Sequence, residues 1–486
     1  MRSFLKYCVD RLLAPLPALI SGLVLTWAPA TFAADSKPDE VLVKLRTPAA
    51  LGPIVTQFNV IQTTQFGTRP IYRLKLPLNT NVGNVVNQLT TSSDVLLAEP
   101  NYTDQSPEAR RNRSWFIGSA SNYTAQWAPN AINLTQAHTM AKGAGVRVAV
   151  LDTGVDSSHP ALAGKLLPGY NFVDNNTNTS EVGTAANLGF GHGTHVAGIV
   201  ALTAPDAKIV PYRVLDENGE GNVWVLAEAL LRAIDPDGNP ATNDGAHVIN
   251  ISLGTLNRTR VFSTIAKLAS CHSSSPDDPT TDFSHSGYDD DRTRCANGKG
   301  VVIVVAAGND GVNKAEYPAA EGIAGAISVG ASDSAQQLAT FSNYGSEVDV
   351  TAPGDGITSS IPGGGYAVWS GTSMAAPMVA GAAALLRSRE PSLPPKEIAR
   401  RVIRSGARLN GSNLTQIDLA AVATPCSMDV DGDGLTLATT DGLILTRVML
   451  GMNGNAVSSA AAPGSPRSTW DAINTFLTTS CGMVTP

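Results

Sequence analysis

Ser373 stands in GTSMAAP, residues 371–377, between small residues and ahead of an apolar run over 374–386. The pattern predicts a buried helix with the serine hydroxyl at its N-terminus, where unpaired backbone N–H groups favour negative charge. Acyl transfer needs that arrangement, a nucleophile beside donors that can hold an oxyanion. A serine alone is a weak nucleophile, so the chain must also supply a base and a group that orients it. GHGTHVAG holds two histidines. Gly191 and Gly193 flank His192 and let a substrate approach it closely. His195 begins an apolar helical stretch and reads as a packed residue. A metal-binding histidine pair is the alternative there, although no HExxH occurs. Asp152 ends an apolar stretch in AVLDTGVD, where an acid either orients an imidazole or caps the next turn. Asn309, in VVAAGND, can donate to an oxyanion together with the Ser373 amide, or can hold its own loop.

Those side chains need a frame. Apolar stretches at 146–151, 209–215, 248–253 and 301–306 alternate with helical patterns at 195–202, 223–234 and 261–269. The alternation predicts an α/β unit, a doubly wound parallel sheet covered on both faces. Ligands of such sheets bind at the carboxyl ends of the strands, and Asp152, Ser252 and Asn309 lie just past strand ends. The chain order Asp, His, Ser discriminates further. α/β-Hydrolases run Ser, acid, His with a GxSxG, which is absent here; chymotrypsin-like enzymes run His, Asp, Ser; subtilisin runs Asp, His, Ser.

At these residues the chain resembles the subtilisin-like (subtilase, S8) serine peptidases. The resemblance covers about residues 145–386 and rests on AVLDTGVD, GHGTHVAG, NISLG, VVAAGND and GTSMAAP in family order. It implies a serine endopeptidase that works through an acyl-enzyme and needs no cofactor for catalysis. Asp152 would orient His192, and His192 would take the proton of Ser373. Asn309 would help to hold the oxyanion. Ser252, Leu253 and Gly254 match the edge segment that pairs with substrate backbone as an added strand. Thr255 stands where the family usually has a second glycine. Asp310 falls near the family's first specificity pocket; broad cleavage of protein and peptide substrates is the expectation.

Around this unit, taken as residues 114–423, the chain divides further. Residues 1–34 read as a secretory signal: Arg2, Lys6 and Arg11, an apolar stretch at 12–27, then small residues at 30–34. Secretion, with periplasmic transit as an option, follows. Residues 35–113 read as β-α-β-β-α-β, a ferredoxin-like α+β prodomain with its last strand at 95–98, then a polar connector from 103 to 113 that should be exposed and easily cut. The strand order and EPNY at 99–102 resemble the family's inhibitory prodomain, which implies a self-processed zymogen blocked by its own prodomain. Residues 271–299, rich in Ser, Asp and Thr with Asp289, Asp290 and Asp291 in a row, read as a solvated loop tied by a disulfide, or as a cation site. Residues 424–486 read as a small disulfide-bonded helical module. Asp429, Asp431 and Asp433 alternate ahead of Gly434, and Asp441 follows one residue late for a closing ligand, which resembles a dockerin or EF-hand calcium loop in part. The four cysteines beyond Cys8 allow three pairings, of which Cys271 with Cys295 and Cys426 with Cys481 is the expectation. A net charge of -7 without a basic stripe argues against nucleic acid, and no stretch reads as a stable membrane span. A monomer is the expectation.

Overall fold

The computed structural model describes residues 36–108, 116–272 and 278–486; the signal-like segment and residues 109–113 of the connector lie outside them. Among the described residues no helix is long and apolar enough to cross a membrane.

A seven-stranded sheet forms the frame, in the order Val350–Pro353, Ala326–Ser332, Val302–Ala306, Val248–Ile251, Arg147–Asp152, Lys208–Arg213 and Tyr170–Asn171, every pair parallel. Successive side chains of a strand point to opposite faces, so each face needs its own cover. Val148 and Val150 pack with helices His192–Thr203 and Thr372–Arg389. Ala149 and Leu151 pack with helices Val223–Ile234 and Arg260–Ala269 on the other face. That is why these strands read as continuous apolar runs rather than alternating ones. Strands Arg147–Asp152, Val248–Ile251 and Val302–Ala306 end within one register position of each other, so the loops past them lie side by side on one rim.

The prodomain sheet runs Gln62–Gln65, Ile71–Lys75, Ser36–Leu45, Val95–Gln105, all antiparallel, with helices Leu51–Gln57 and Val82–Leu89. Its last strand continues well past the expected end at Ala98. The polar stretch after Tyr102 does not loop out. Thr103, Asp104 and Gln105 pair antiparallel with Asn222, Gly221 and Glu220 of the catalytic unit, and Asp104, Ser106 and Glu108 are buried. Polar composition misled here, because the burial is driven by backbone hydrogen bonding to a partner distant in sequence.

The prodomain sits on the helices of one face. Leu42, Phe66, Ile71 and Leu97 belong to the same core as Trp224 and Phe262, and the Phe66 and Trp224 rings meet edge to face at 5.4 Å. Two residues of EPNY close helix ends. The Glu99 carboxylate accepts from the amides of Arg260 and Val261, both at 2.9 Å, and Asn101 Oδ1 accepts from the Trp224 amide at 3.1 Å. Helix N-termini leave such amides unpaired, so each contact satisfies a donor that the helix itself cannot. Burial pushes the Glu99 carboxyl up to about 7, against the pull of those two amides.

The 271–299 segment is not the solvated loop expected. It carries helix Asp289–Ala296, and the buried Asp291 forms a two-pronged pair with Arg69 of the prodomain at 2.8 and 2.7 Å. Lys44 of the prodomain donates to the Pro279 carbonyl at 2.9 Å. The segment is part of the surface on which the prodomain rests. The disulfides are Cys271–Cys295 and Cys426–Cys481. The C-terminal residues form a small core of Val430, Ile444, Val448, Val457, Ile473, Phe476 and Leu477. Helix Asp441–Met449 turns Ile444 and Val448 inward, whereas Met449 and Leu450 are exposed.

Candidate active site

Asp152 is the last residue of its strand, and His192 the first of the helix that follows in the structure. Both are buried, and His192 Nδ1 lies 2.7 Å from Asp152 Oδ1. The same carboxylate oxygen accepts from the Thr153 amide at 2.8 Å, which fixes its orientation. A Cβ on Gly193 would stand 2.1 Å from the Gly154 carbonyl oxygen, so the helix can approach the strand end only with glycine there. Gly191, at φ 83°, makes the turn into the helix.

Behind this pair lies Glu181, a partly buried acid that belongs to no motif in the chain. Its Oε1 accepts from the Thr194 amide and hydroxyl, both at 3.0 Å, and its Oε2 from the Thr153 hydroxyl at 3.0 Å. Thr153 Oγ1 in turn accepts from the Gly193 amide at 3.0 Å. One carboxyl group thus ties the turn after Asp152 to the first turn of the His192 helix. Burial pushes its pKa up to about 7, opposed by the hydrogen bonds it accepts and reinforced by the Asp152 charge.

Ser373 is the second residue of helix Thr372–Arg389 and is fully buried. Asn309 follows strand Val302–Ala306. Its Oδ1 accepts from the Thr372 amide and hydroxyl at 2.8 and 2.9 Å, which turns Nδ2 toward the serine. Ser252 supports the same corner: its hydroxyl donates to the Ser373 carbonyl at 3.1 Å, and Asn250 Nδ2 donates to it at 2.9 Å.

At the centre stands Glu108 of the prodomain, which sequence reasoning placed in an exposed connector. Its Oε2 accepts from Ser373 Oγ at 2.6 Å and lies 3.0 Å from His192 Nε2. Its Oε1 accepts from Asn309 Nδ2 at 2.8 Å. A Cβ on Gly371 would meet Glu108 Oε1 at 1.8 Å, so the cradle has room only for the carboxylate. Residues before it lie along the rim as an added strand. Gln105 exchanges hydrogen bonds with Gly254 at 2.9 and 3.0 Å, and the Ser106 amide donates to the Gly219 carbonyl at 3.0 Å. Of the expected edge segment, Gly254 makes this pairing, Ser252 faces the serine, and Leu253 is buried in the core beneath. Thr255 exchanges hydrogen bonds with Tyr317 at 2.8 and 2.9 Å, which closes the end of that edge.

Electrostatics follow from the two carboxylates. Burial alone would lower the His192 pKa. The charges and hydrogen bonds of Asp152 and Glu108 outweigh it and raise the pKa to about 9. With the tail in place the two carboxylates favour the imidazolium, which opposes proton uptake from serine. His195, by contrast, is stacked on Trp369 at 4.4 Å with Nε2 3.2 Å from the Ala367 carbonyl.

In the C-terminal module, carboxylate oxygens of Asp429, Asp431 and Asp433 lie within 4.8 Å of one another. Hard oxygen donors of this type suit calcium. Asp441 does not join them. It opens a helix, and its oxygens accept from the amides of Val430, Asp431 and Leu437 at 2.6, 3.2 and 2.9 Å. The extra residue before it carries the side chain past the loop and onto the loop's backbone.

Comparison with known proteins agrees with this architecture. Residues 143–463 match the model of the subtilase family, Peptidase_S8, and residues 29–101 match that of the fervidolysin N-terminal prodomain. The chain is 38% identical to the thermophilic serine proteinase of Bacillus sp. (strain AK1), over 64% of this chain and 67% of that protein. It is 39% identical to thermitase of Thermoactinomyces vulgaris, over 54% of this chain and 82% of that protein. Its fold resembles that of fervidolysin from Fervidobacterium pennivorans, with a TM-score of 0.61 and 24% identity over 82% of this chain, which spans 62% of that longer one. With the parallel sheet, the strand-end rim and these matches together, the chain belongs to the subtilase family of serine endopeptidases and carries a fervidolysin-type prodomain ahead of its catalytic unit.

Proposed function

We propose that the chain is a secreted, self-processed zymogen that hydrolyses peptide bonds through Asp152, His192 and Ser373. The observation that carries this reading is the seat taken by the Glu108 carboxylate, within hydrogen-bonding distance of Ser373 Oγ, His192 Nε2 and Asn309 Nδ2 at once. A tetrahedral acyl intermediate would present an anionic oxygen to the same Asn309 amide, beside the Ser373 backbone N–H. Once the tail leaves, His192 loses one of the two charges that hold its proton. It can then accept the proton of Ser373 as the hydroxyl attacks the scissile carbonyl. Asp152 holds the ring and stabilises the imidazolium that forms. His192 next gives the proton to the leaving amine, and a water repeats the sequence to release the acid. The substrate backbone pairs with Gly254 as the tail does now.

No step of this chemistry draws on a cofactor. Asp429, Asp431 and Asp433 would serve a structural calcium ion remote from it. The prodomain is the intramolecular inhibitor, and its release, by cleavage between about Gln105 and Trp115, frees a monomeric enzyme. The segment 1–34 directs export.

Ser373→Ala tests the reading. The variant should fold, remain unprocessed, hydrolyse no casein and take up no serine-directed organophosphonate, whereas the wild type is labelled at Ser373. Casein hydrolysis by the variant at the wild-type rate would refute the triad.

A further inference from the structure

Beside this site, whose catalytic role rests on the reading above, lies a buried acid outside every motif. The bound tail marks the path of a substrate: Gln105 on Gly254, Ser106 on Gly219, then a single residue before the reacting centre. A residue whose carbonyl carbon faces Ser373 and whose oxygen faces Asn309 must pass between the edge at Ser252–Gly254 and the loop at Ala307–Asn309. On that path its side chain would face those two walls.

Glu316 lies there. The residue is buried, at 3% exposure. Both its carboxylate oxygens press on the glycines of the two walls: a Cβ on Gly254 would stand 2.7 Å from Oε2, and a Cβ on Gly308 would stand 2.7 Å from Oε1. The backbone holds it firmly, with the Glu316 amide donating to the Ala307 carbonyl at 2.9 Å and Tyr317 paired with Thr255. Asp310, the acid that the sequence placed near this pocket, is exposed to solvent instead. An exposed acid is screened, whereas a buried one acts at low dielectric and at short range.

We propose that Glu316 makes the enzyme select a lysine or arginine immediately before the cleaved bond. A lysine or arginine on this path would carry its ammonium or guanidinium on a long aliphatic stem to the Glu316 carboxylate, with which it forms a charge-assisted pair. The chain supplies its own substrate of this class: Arg110, Arg111 and Arg113 follow the tail directly in sequence.

The test uses the processed full-length enzyme, titrated by organophosphonate, and peptides that differ only in the residue before the cleaved bond. The wild type should cleave after arginine or lysine with kcat/KM about tenfold or more above that for leucine or phenylalanine. Glu316→Gln should cut that ratio by about tenfold. N-terminal sequencing of the processed wild type should show cleavage after an arginine. Equal rates for arginine and leucine in labelled wild-type enzyme would overturn the inference and leave the peptidase reading standing. Failure to label would instead end the peptidase reading and this inference with it. Should Glu316→Gln not fold, the wild-type ratio and inhibition by benzamidine, expected to be competitive against the arginine peptide, decide the matter; no inhibition and no preference would overturn it.

Discussion

His192 is held at both ring nitrogens by carboxylates, and the two come from different regions of the molecule. Asp152 belongs to the strand end of the catalytic sheet and meets Nδ1 at 2.7 Å; Glu108 belongs to the prodomain tail and meets Nε2 at 3.0 Å. Both acids are buried and both raise the imidazole pKa. What differs is how each is fastened. Asp152 is built into a parallel sheet and fixed by the Thr153 amide, so it persists through every state. Glu108 is held by an added strand and by contacts with Ser373, His192 and Asn309, and in the proposed processing a cut in the chain would let it leave. On the proposed mechanism one chemical group would serve two ends: the permanent carboxylate would prepare the base, and the removable one would occupy the place where the base must act.

The comparison can be broken at either acid. Asp152→Asn should lower kcat of the processed enzyme by about 10⁴-fold, because the ring loses its tautomer and its stabilising charge. Steady-state kinetics on a peptide measures this, and a loss under tenfold would place the orienting role elsewhere. Glu108→Ala should leave the zymogen leaky. It removes a buried acceptor of charge-assisted hydrogen bonds, so organophosphonate labelling of unprocessed chain should rise by about 100-fold. Labelling as slow as wild type would mean that the strand pairing alone blocks the site.

A titration sharpens the contrast without a mutation. His192 has a folded pKa raised to about 9, so the hold of the tail on the imidazolium is fully present below the unperturbed value of 6.5 and is lost as pH rises through 9. Glu99, raised to about 7 by burial, acts in the same sense at lower pH, favouring docking below the ordinary glutamate value of 4.5 and progressively less up to 7. Zymogen labelling should therefore climb by about tenfold between pH 7 and 10, and the climb should vanish in Glu108→Ala. The smallest effect is expected at Glu181, which touches neither nucleophile nor substrate. Glu181→Gln should lower kcat by about threefold, leave KM alone and flatten the activity profile around pH 7, where its carboxyl titrates.

Much of this site was legible in the chain. The residue types and order at Asp152, His192, Asn309 and Ser373 carry their own chemistry, because strand-end and helix-start positions follow from local apolar patterning. The parallel sheet followed for the same reason. Glu108, Glu181 and Glu316 carried no such mark. Each is a single glutamate in a polar stretch, and nothing local separates it from a solvated acid. The 103–108 tail and the 271–299 segment were read as exposed for the same cause, yet one completes a sheet and the other holds Arg69 of the prodomain.

The sequence alone determined which groups could react and on what kind of sheet they stand, since periodicity and motif order are properties of neighbours along the chain. The tertiary structure decided which acids are buried and whom they face. Desolvation and hydrogen bonding depend on residues brought together from distant positions, as Glu108 is with Ser373 across 265 positions of chain.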